Sequence, residues 1–485
     1  MNAKQKISLV FVILFLTNVS LVARANNLEE RGIKPEEAIE FVKEAQQERQ
    51  MFKPLQVACD NLEDFVNEGF VEAYPDIALK HRQVNKNDML SFFTEQINLQ
   101  SAEVDIFELP IGDTTQMVID NGYYYPLNQA EHICEKVNGY KPFFQKAVMK
   151  DTDIAAISRT AEQYTLAYSE YALGQLGLIA SDMPSTFMEL MDFLLEWDDR
   201  VGDVAQQAEI TPFGISNAQV KVELLVMVMD QYYALMKQDA SAIPRYEADM
   251  AELLDKLSLV CSAIPEGTGE QPYIASGERF GHIQLNDQRS YLFNVNGSFH
   301  PGRRSLVHYE SVSDFVPLAL ILPSQNAPVL FFEGTLFLVN PYSAQKEQAM
   351  QWLTYYMESL PAKDAAAFDR NALPMESELY IAMKEHYTGE IETLKPRIEA
   401  AEGAVKSDLE MQLQTKQDKL YSLEQIKWDI STQALEDYAQ IFVQNTVLWN
   451  DPYKYADSFN PTYRKYLAEG MPGEAVAQAF FAAMR

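Results

Sequence analysis

Apolar and polar positions along the chain fall into blocks whose period switches between two and about three and a half. Residues 55–58 form a short apolar run closed by Asp60-Asn61, the pattern of a strand ending in a turn. Phe65, Val66, Phe70 and Val71 then recur at helical spacing up to Tyr74-Pro75-Asp76, which stops the helix. Residues 77–84 predict a second strand, and Met89, Leu90, Phe93 and Ile97 mark a second helix. Residues 104–109 predict a third strand, ended by Pro110-Ile111-Gly112, and a further helix runs from about Thr114 to Asp120 before Asn121-Gly122. Strand, helix, strand, helix, strand is the order of a mostly parallel α/β sheet.

The middle of the chain changes period. Residues 154–157 predict a short strand broken at Ser158-Arg159-Thr160, residues 165–169 are extended, and residues 171–178 predict a helix ending near Gly177. Thr186 and Glu189 have the spacing of a capping box and open a helix whose apolar stripe is Phe187, Leu190, Met191, Leu194 and Trp197. Residues 220–263 are largely helical, with a break at Ala242-Ile243-Pro244, and residues 284–304 are loop-rich. Strand patterns return at 315–322 and 330–339, and Asn340-Pro341-Tyr342-Ser343 starts a helix with Ala349, Trp352, Leu353 and Tyr356 on one face. From 385 to 430, Ile391, Leu394, Ile398, Val405, Leu409 and Leu413 recur at helical steps with Lys and Glu on the other faces. Pro396 and Gly403 interrupt any long run of heptads, so the pattern predicts an intramolecular helical hairpin turning near Gly403.

Charge narrows the partners. The chain has 485 residues with 39 Lys and Arg against 70 Asp and Glu, a formal net charge of −31, which disfavours a nucleic-acid partner. Three scattered cysteines (Cys59, Cys134, Cys261) make no CxxC pair, and six histidines contain no HxxxH or HExxH spacing, so neither a disulfide framework nor a metal site is expected. No cofactor is implied. GxSxG, P-loop and zincin patterns are absent from the sequence, and no residue is assigned as catalytic. Residues 1–25 read as a secretory leader: Lys4 and Lys6, the apolar run 9–16, then Ala23-Arg24-Ala25 with cleavage expected after Ala25. The eight apolar residues fall short of the roughly 20 needed to span a bilayer, and no cysteine follows them, so an extracytoplasmic chain without a lipid anchor is expected.

The order of the segments resembles the extracellular solute-binding proteins of bacterial ABC importers, in the sugar-binding family that includes maltose-binding protein. The resemblance is carried by residues 70–109, with the YPDI turn at Tyr74–Ile77, by 118–127 (VIDNGYYYPL), 167–178 (AYSEYALGQLGL), 183–197 (MPSTFMELMDFLLEW) and 335–353 (TLFLVNPYSAQKEQAMQWL), and by a terminal helix within 466–480. It spans roughly 54–357 and 460–485. The family's lipoprotein cysteine is missing, its glycine-rich segment is not clear within 265–310, and the 385–430 hairpin is an insertion relative to small members.

The resemblance implies an α/β, two-lobed periplasmic-binding-protein-like clamp of type II with a helical hairpin insertion near the C-terminus. Expected boundaries are a leader at 1–25, a helical extension at 26–53, lobe 1 at 54–160 and 305–343, and lobe 2 at 161–304 and 344–485. It implies a monomeric receptor that traps a small solute, most simply a carbohydrate, in a cleft by hinge closure and delivers it to a membrane permease. Ligands of α/β sheets lie beyond the carboxyl ends of the strands. The residues so placed are Asp60 and Asn61, Pro110, Ile111 and Gly112, Arg159 and Tyr164 near the crossing, and Phe332 and Glu333 in the late strand. Each has a plainer alternative: a turn cap for Asp60 and Asn61, a surface ion pair for Arg159, core packing for Tyr164, a solvated turn for Phe332-Glu333. Two other function classes remain: a secreted surface protein acting through the hairpin, and a secreted carbohydrate-active enzyme.

Overall fold

A computed structural model describes residues 53–267, 279–280, 283–284, 291–299, 301, 315–451 and 460–484, apart from 63, 87 and 324. The leader and the 26–52 extension lie outside the described residues, as do most of 268–314 and the Tyr164 side chain. The principal elements in chain order are β1 (Leu55–Cys59), α1 (Asp64–Ala73), β2 (Leu79–Gln83), α2 (Met89–Asn98), β3 (Ile106–Pro110), α3 (Asp113–Asp120), α4 (Glu131–Asn138), α5 (Pro142–Val148) and β4 (Ala156–Ser169). They continue with α6 (Glu170–Gln175), α7 (Phe187–Leu195), β5 (Thr211–Phe213), α8 (Asn217–Gln238), α9 (Ile243–Ala263), β6 (Tyr291–Ser298), β7 (Phe315–Leu318) and β8 (Val329–Val339). The last are α10 (Lys346–Ser359), α11 (Glu378–Glu399), α12 (Gly403–Ser422), α13 (Thr432–Gln444), β9 (Thr446–Trp449), α14 (Asn460–Glu469) and α15 (Gly473–Met484). The chain is a mixed α/β protein of two compact units and passes from one to the other five times, at 109/110, 122/123, 130/131, 336/337 and 359/360.

The first unit comprises the described residues up to Leu109 with 123–130 and 337–359. Here β1 lies between β2 and β3, parallel to both, with Leu55 opposite Leu79 and Val57 opposite Ile106. β1 and β3 are largely apolar and nearly all buried, with Gln56 and Glu108 their only polar residues, close to the composition expected of central parallel strands. Phe93 meets Phe107 edge-on at 5.1 Å, which seats α2 on the sheet. The late return supplies Phe337, Trp352 and Tyr356, with Phe337 5.1 Å from each of the other two rings.

That return is held by buried polar groups. Asn340 Nδ2 donates to the carbonyls of Ser101 (2.8 Å) and Val104 (2.7 Å). Asp105, 1% exposed, accepts from Ser343 Oγ (2.6 Å), Gln345 Nε2 (3.1 Å) and the Gln56 amide (2.8 Å). Burial raises the Asp105 carboxyl above its ordinary value, against the opposing pull of these donors and of Lys53. The Asn-Pro-x-Ser segment is thus a set of side chains that dock the returning chain onto β3, as well as a turn.

The second unit holds the remaining described residues. β4 pairs antiparallel with β6 and with β7, β6 runs parallel to β5, and β8 runs parallel to β9. The sequence pattern breaks a strand at Ser158-Arg159-Thr160; the structure instead carries one strand from Ala156 to Ser169. Polar side chains at Ser158, Arg159, Gln163 and Thr165 resemble a loop, yet all are buried in this strand. α7 and α8 pack against the sheet, and α9 and α15 pack on those helices in the same core. The α7 start is the expected capping box, Thr186 Oγ1 accepting from the Glu189 amide (3.0 Å) and Glu189 Oε2 from the Thr186 amide (3.1 Å). Phe187, Leu190, Met191, Leu194 and Trp197 are all buried, Trp197 as core. α8 and α9 are separate helices, and Pro244 sits in the first turn of α9, where its missing N–H costs nothing. Phe480 and Phe481 of α15 are fully buried in the same core, each contributing on the order of 1.5–3 kcal/mol.

The 385–430 hairpin forms from α11 and α12. The turn is made at Gly403, whose φ of +62° suits glycine. Tyr380, Tyr387 and Leu423 make a small core where the hairpin meets the body. Along α12 only Leu409 is buried, while Val405 (62%) and Met411 (67%) are exposed. No helix among the described residues is long and apolar enough to cross a membrane.

Candidate functional site

The expected site residues fall into separate environments. Asp60 and Asn61 follow β1 in the first unit, where the Asp60 amide donates to Glu108 Oε2 at 3.2 Å. Pro110, Ile111, Gly112, Arg159, Tyr164, Phe332 and Glu333 belong to the second unit.

Within the second unit, β8 brings several of them together. Side chains alternate across a strand, so Phe331 and Glu333 face one side and Phe332 the other. Phe332 is fully buried among Phe143, Phe144 and Phe442, its ring 5.6 Å from Phe442 and stacked on it. Trp449 stacks on Phe143 at 4.7 Å in the same cluster, which fixes β9 beside β8 with Phe332 opposite Trp449. The register delivers the next two residues. The Asn450 amide donates to Phe332 O (2.8 Å), and Asn450 Nδ2 donates to Glu333 Oε1 (2.8 Å).

Asp451, 6% exposed, accepts from the Thr114 amide and hydroxyl, both at 3.1 Å, at the first turn of α3. A carboxylate there meets free amide donors and the positive end of the helix dipole. Lys237 pairs with Asp113. Gly112 lies against Asp451, where an added Cβ would come within 2.9 Å of the carboxylate carbon, and the Ile111 amide donates to Gly334 O at 2.7 Å. Gly334 is the tightest point: a Cβ there would stand 2.6 Å from Thr160 O, 2.8 Å from the Trp449 ring and 3.2 Å from Ile111 Cδ1. Thr160 and Thr335 hydroxyls are 3.0 Å apart beside it. Ile111, Gly112 and Glu333 therefore share one neighbourhood, joined through Asn450 and Asp451. Arg159 is buried in β4, one residue before Thr160.

Beside this neighbourhood lies a cavity of about 270 Å³, wholly within the second unit. Most of its wall is apolar, from Leu166, Phe187, Met227, Leu320 and Phe331 among others, and its polar part comes from β4 (Gln163, Thr165), α8 (Glu223, Asp230, Gln231), Glu333 of β8 and Asn450. Glu223, Val226, Met227, Asp230 and Gln231 recur at helical spacing, so α8 presents a stripe of two acids and an amide interleaved with two apolar side chains to the space. Thr165 Oγ1 donates to Leu318 O (2.9 Å), which keeps that wall closed. Burial raises the Glu223 carboxyl above its ordinary value.

Of these residues, the sequence pattern singles out only Glu333. Asn450 and Asp451 had a usable signal, since a short apolar run closed by Asn-Asp is the feature that marks Asp60-Asn61. Asp230-Gln231 had another, a charge and an amide inside the apolar stretch 224–236 of a long helix. Among the described residues no group of three or more His, Cys, Asp or Glu has metal-holding geometry.

No family model matches the chain, and no curated relative matches it. Solved structures similar to it include the maltose-bound MalE3 of T. maritima, at 10% identity and a TM-score of 0.49 over 89% of this chain and 98% of the other. The ABC substrate-binding protein Lmo0181 of Listeria monocytogenes, in complex with cycloalternan, is 11% identical with a TM-score of 0.45 over 89% and 97%. An ABC transporter solute-binding protein of Thermotoga lettingae bound with α-D-tagatose is 14% identical with a TM-score of 0.44 over 89% and 100%.

Proposed function

We propose that this chain is an extracytoplasmic solute-binding receptor of an ABC importer, taking a small sugar-like solute and delivering it to a membrane permease without chemical turnover. The observation that carries the reading is the late return of residues 337–359 to the first unit through Asn340, Ser343 and Gln345. These residues lie in a segment that carries the sequence resemblance, and their structural role is to make an early and a late segment one folding unit. A chain that passes between two α/β units five times suits a receptor whose parts must stay connected through binding and release. The cavity, mostly apolar with Gln163, Glu223, Asp230, Gln231, Glu333 and Asn450 on its wall, adds a place of the right chemistry for a ring with hydroxyl groups.

A thermal-shift screen of the mature chain against mono- and oligosaccharides, amino acids, peptides and polyamines tests this. A solute bound only by the native state adds RT ln(1 + [L]/Kd), about 2.7 kcal/mol at a hundredfold excess over Kd. Stabilisation by a saccharide with no product formed is expected. No stabilisation by any member would remove the receptor reading.

A second reading has its own observation. The hairpin carries Val405, Met411 and, at the end of α12, the 83% exposed Tyr421 as exposed apolar side chains that a docked partner would cover. If the hairpin is the functional surface, deleting 390–430 abolishes binding to cells while the melting temperature of the body is kept.

A further inference from the structure

Each strand and helix around the cavity of the second unit gives it an apolar side chain: Leu166 of β4, Phe187 of α7, Val226 of α8, Val295 of β6, Leu318 of β7 and Phe331 of β8. The polar groups on the wall are largely turned to the chain itself. Thr165 Oγ1 donates to Leu318 O (2.9 Å), Gln231 Nε2 to Leu320 O (3.2 Å) and Asn450 Nδ2 to Glu333 Oε1 (2.8 Å), while Gln163 Oε1 accepts from the Phe299 amide (3.4 Å). Gln231 keeps an acceptor in hand. The residue is 6% exposed, and its Oε1 accepts from nothing among the described residues. A buried amide oxygen without a donor is costly, and in a native protein such an orphan asks for an explanation.

We propose that this cavity binds a neutral deoxy sugar, a single ring that gives one hydroxyl to Gln231 Oε1 and turns a methyl edge to the apolar wall. A hydroxyl pressed on that wall loses its water and gains no partner, which weakens binding on the order of tenfold. A methyl group in the same place has no such loss and adds buried apolar surface. The Phe187 and Phe331 rings offer apolar faces to the C–H side of the ring. Nothing on the wall calls for a charge. Glu333 is met by Asn450, Glu223 is half-buried, and the described lining residues include no Lys, Arg or His to hold an acid. At about 270 Å³ the volume is just under the roughly 300–1,000 Å³ of ligand pockets, which suits one ring rather than a chain. The inference rests on the receptor reading in taking the solute to be a sugar, and adds which sugars the site prefers.

Calorimetric titration of the full mature chain with matched pairs tests this: D-fucose against D-galactose, 6-deoxy-D-glucose against D-glucose, and L-rhamnose against L-mannose. The members of each pair differ only at carbon 6, a methyl group in the first and a hydroxymethyl group in the second. The deoxy member of at least one pair is expected to bind, and to bind at least about fivefold more tightly than its partner. Gln231→Leu should weaken that binding about tenfold, and Gln231→Met serves in its place should the first variant fail to fold. Equal or tighter binding of the hydroxylated member in every pair, or wild-type affinity in the Gln231 variant that folds, overturns this site while leaving the receptor reading intact. Binding of none of the six sugars also overturns it, and the receptor reading then stands or falls on the wider thermal-shift screen.

Discussion

Two acids, one in each unit, are raised by burial, Asp105 fully buried and Glu223 half-buried, and the molecule treats them differently. Asp105 is closed in by three donors from β1 and the returning late segment. Glu223 faces a cavity it shares with two more acids and an unmet amide oxygen. A buried acid saturated by its own chain is a fastener. A half-buried acid on a cavity wall is not fastened in that way. Burial raises both carboxyls, so the shift alone does not separate them; the inventory of donors does.

The largest expected effect breaks the fastener. Asp105→Ala strands the Gln56 amide, the Ser343 hydroxyl and the Gln345 amide group, each costing about 1–3 kcal/mol when left unpaired. A loss of about 3 kcal/mol or more is expected by chemical denaturation, and a loss below about 1 kcal/mol would show that the docking matters little. Next comes Gly334→Ala, which forces a Cβ against Thr160 O and Trp449. Overpacking of this kind costs about 1–3 kcal/mol, read as a lower denaturation midpoint at unchanged slope.

The smallest effect, and the most discriminating, is Glu223→Gln. Its folded value lies above the unfolded one, so the native state holds the proton more tightly and the charged form costs stability at neutral pH. Desolvation is the cause of that shift, and the Glu223 charge in turn raises the neighbouring Tyr463 hydroxyl. Glu223→Gln should therefore raise Tm slightly at pH 7, with the gain fading as pH falls through the raised folded value and gone below the ordinary value of 4.5. A lower Tm at pH 7 would place Glu223 with Asp105 as a fastener. Asp105→Ala lowers stability and Glu223→Gln raises it; that opposition is the comparison in measurable form.

Much of the fold was legible because its signals are local. The alternation of strands and helices from 55 to 120, the Thr186–Glu189 cap, the stripe ending at Trp197 and the turn at Gly403 depend on residues within a few positions of one another. Polar residues buried in β4 defeated the same reading, since a strand that carries Gln163 and Thr165 to a cavity has the composition of a loop. The candidate site was legible only in part. Glu333 stood out as a charge inside an apolar run, and Pro110–Gly112 as a strand end. Asn450 and Asp451 reach Glu333 and Thr114 across sequence separations of 117 and 337 residues, which no local pattern encodes. Phe332 and Glu333 were indistinguishable as neighbours in sequence; the pleat sends one to an aromatic core and the other to the cavity.

The central claim is that the second unit's cavity holds the solute. Hydrogen exchange of the mature chain, with and without a stabilising saccharide, tests it most directly. Slower exchange is predicted in peptides covering 217–231 and 329–333, where α8 and β8 line the space. A ligand that raises Tm while leaving both peptides unchanged would contradict the account.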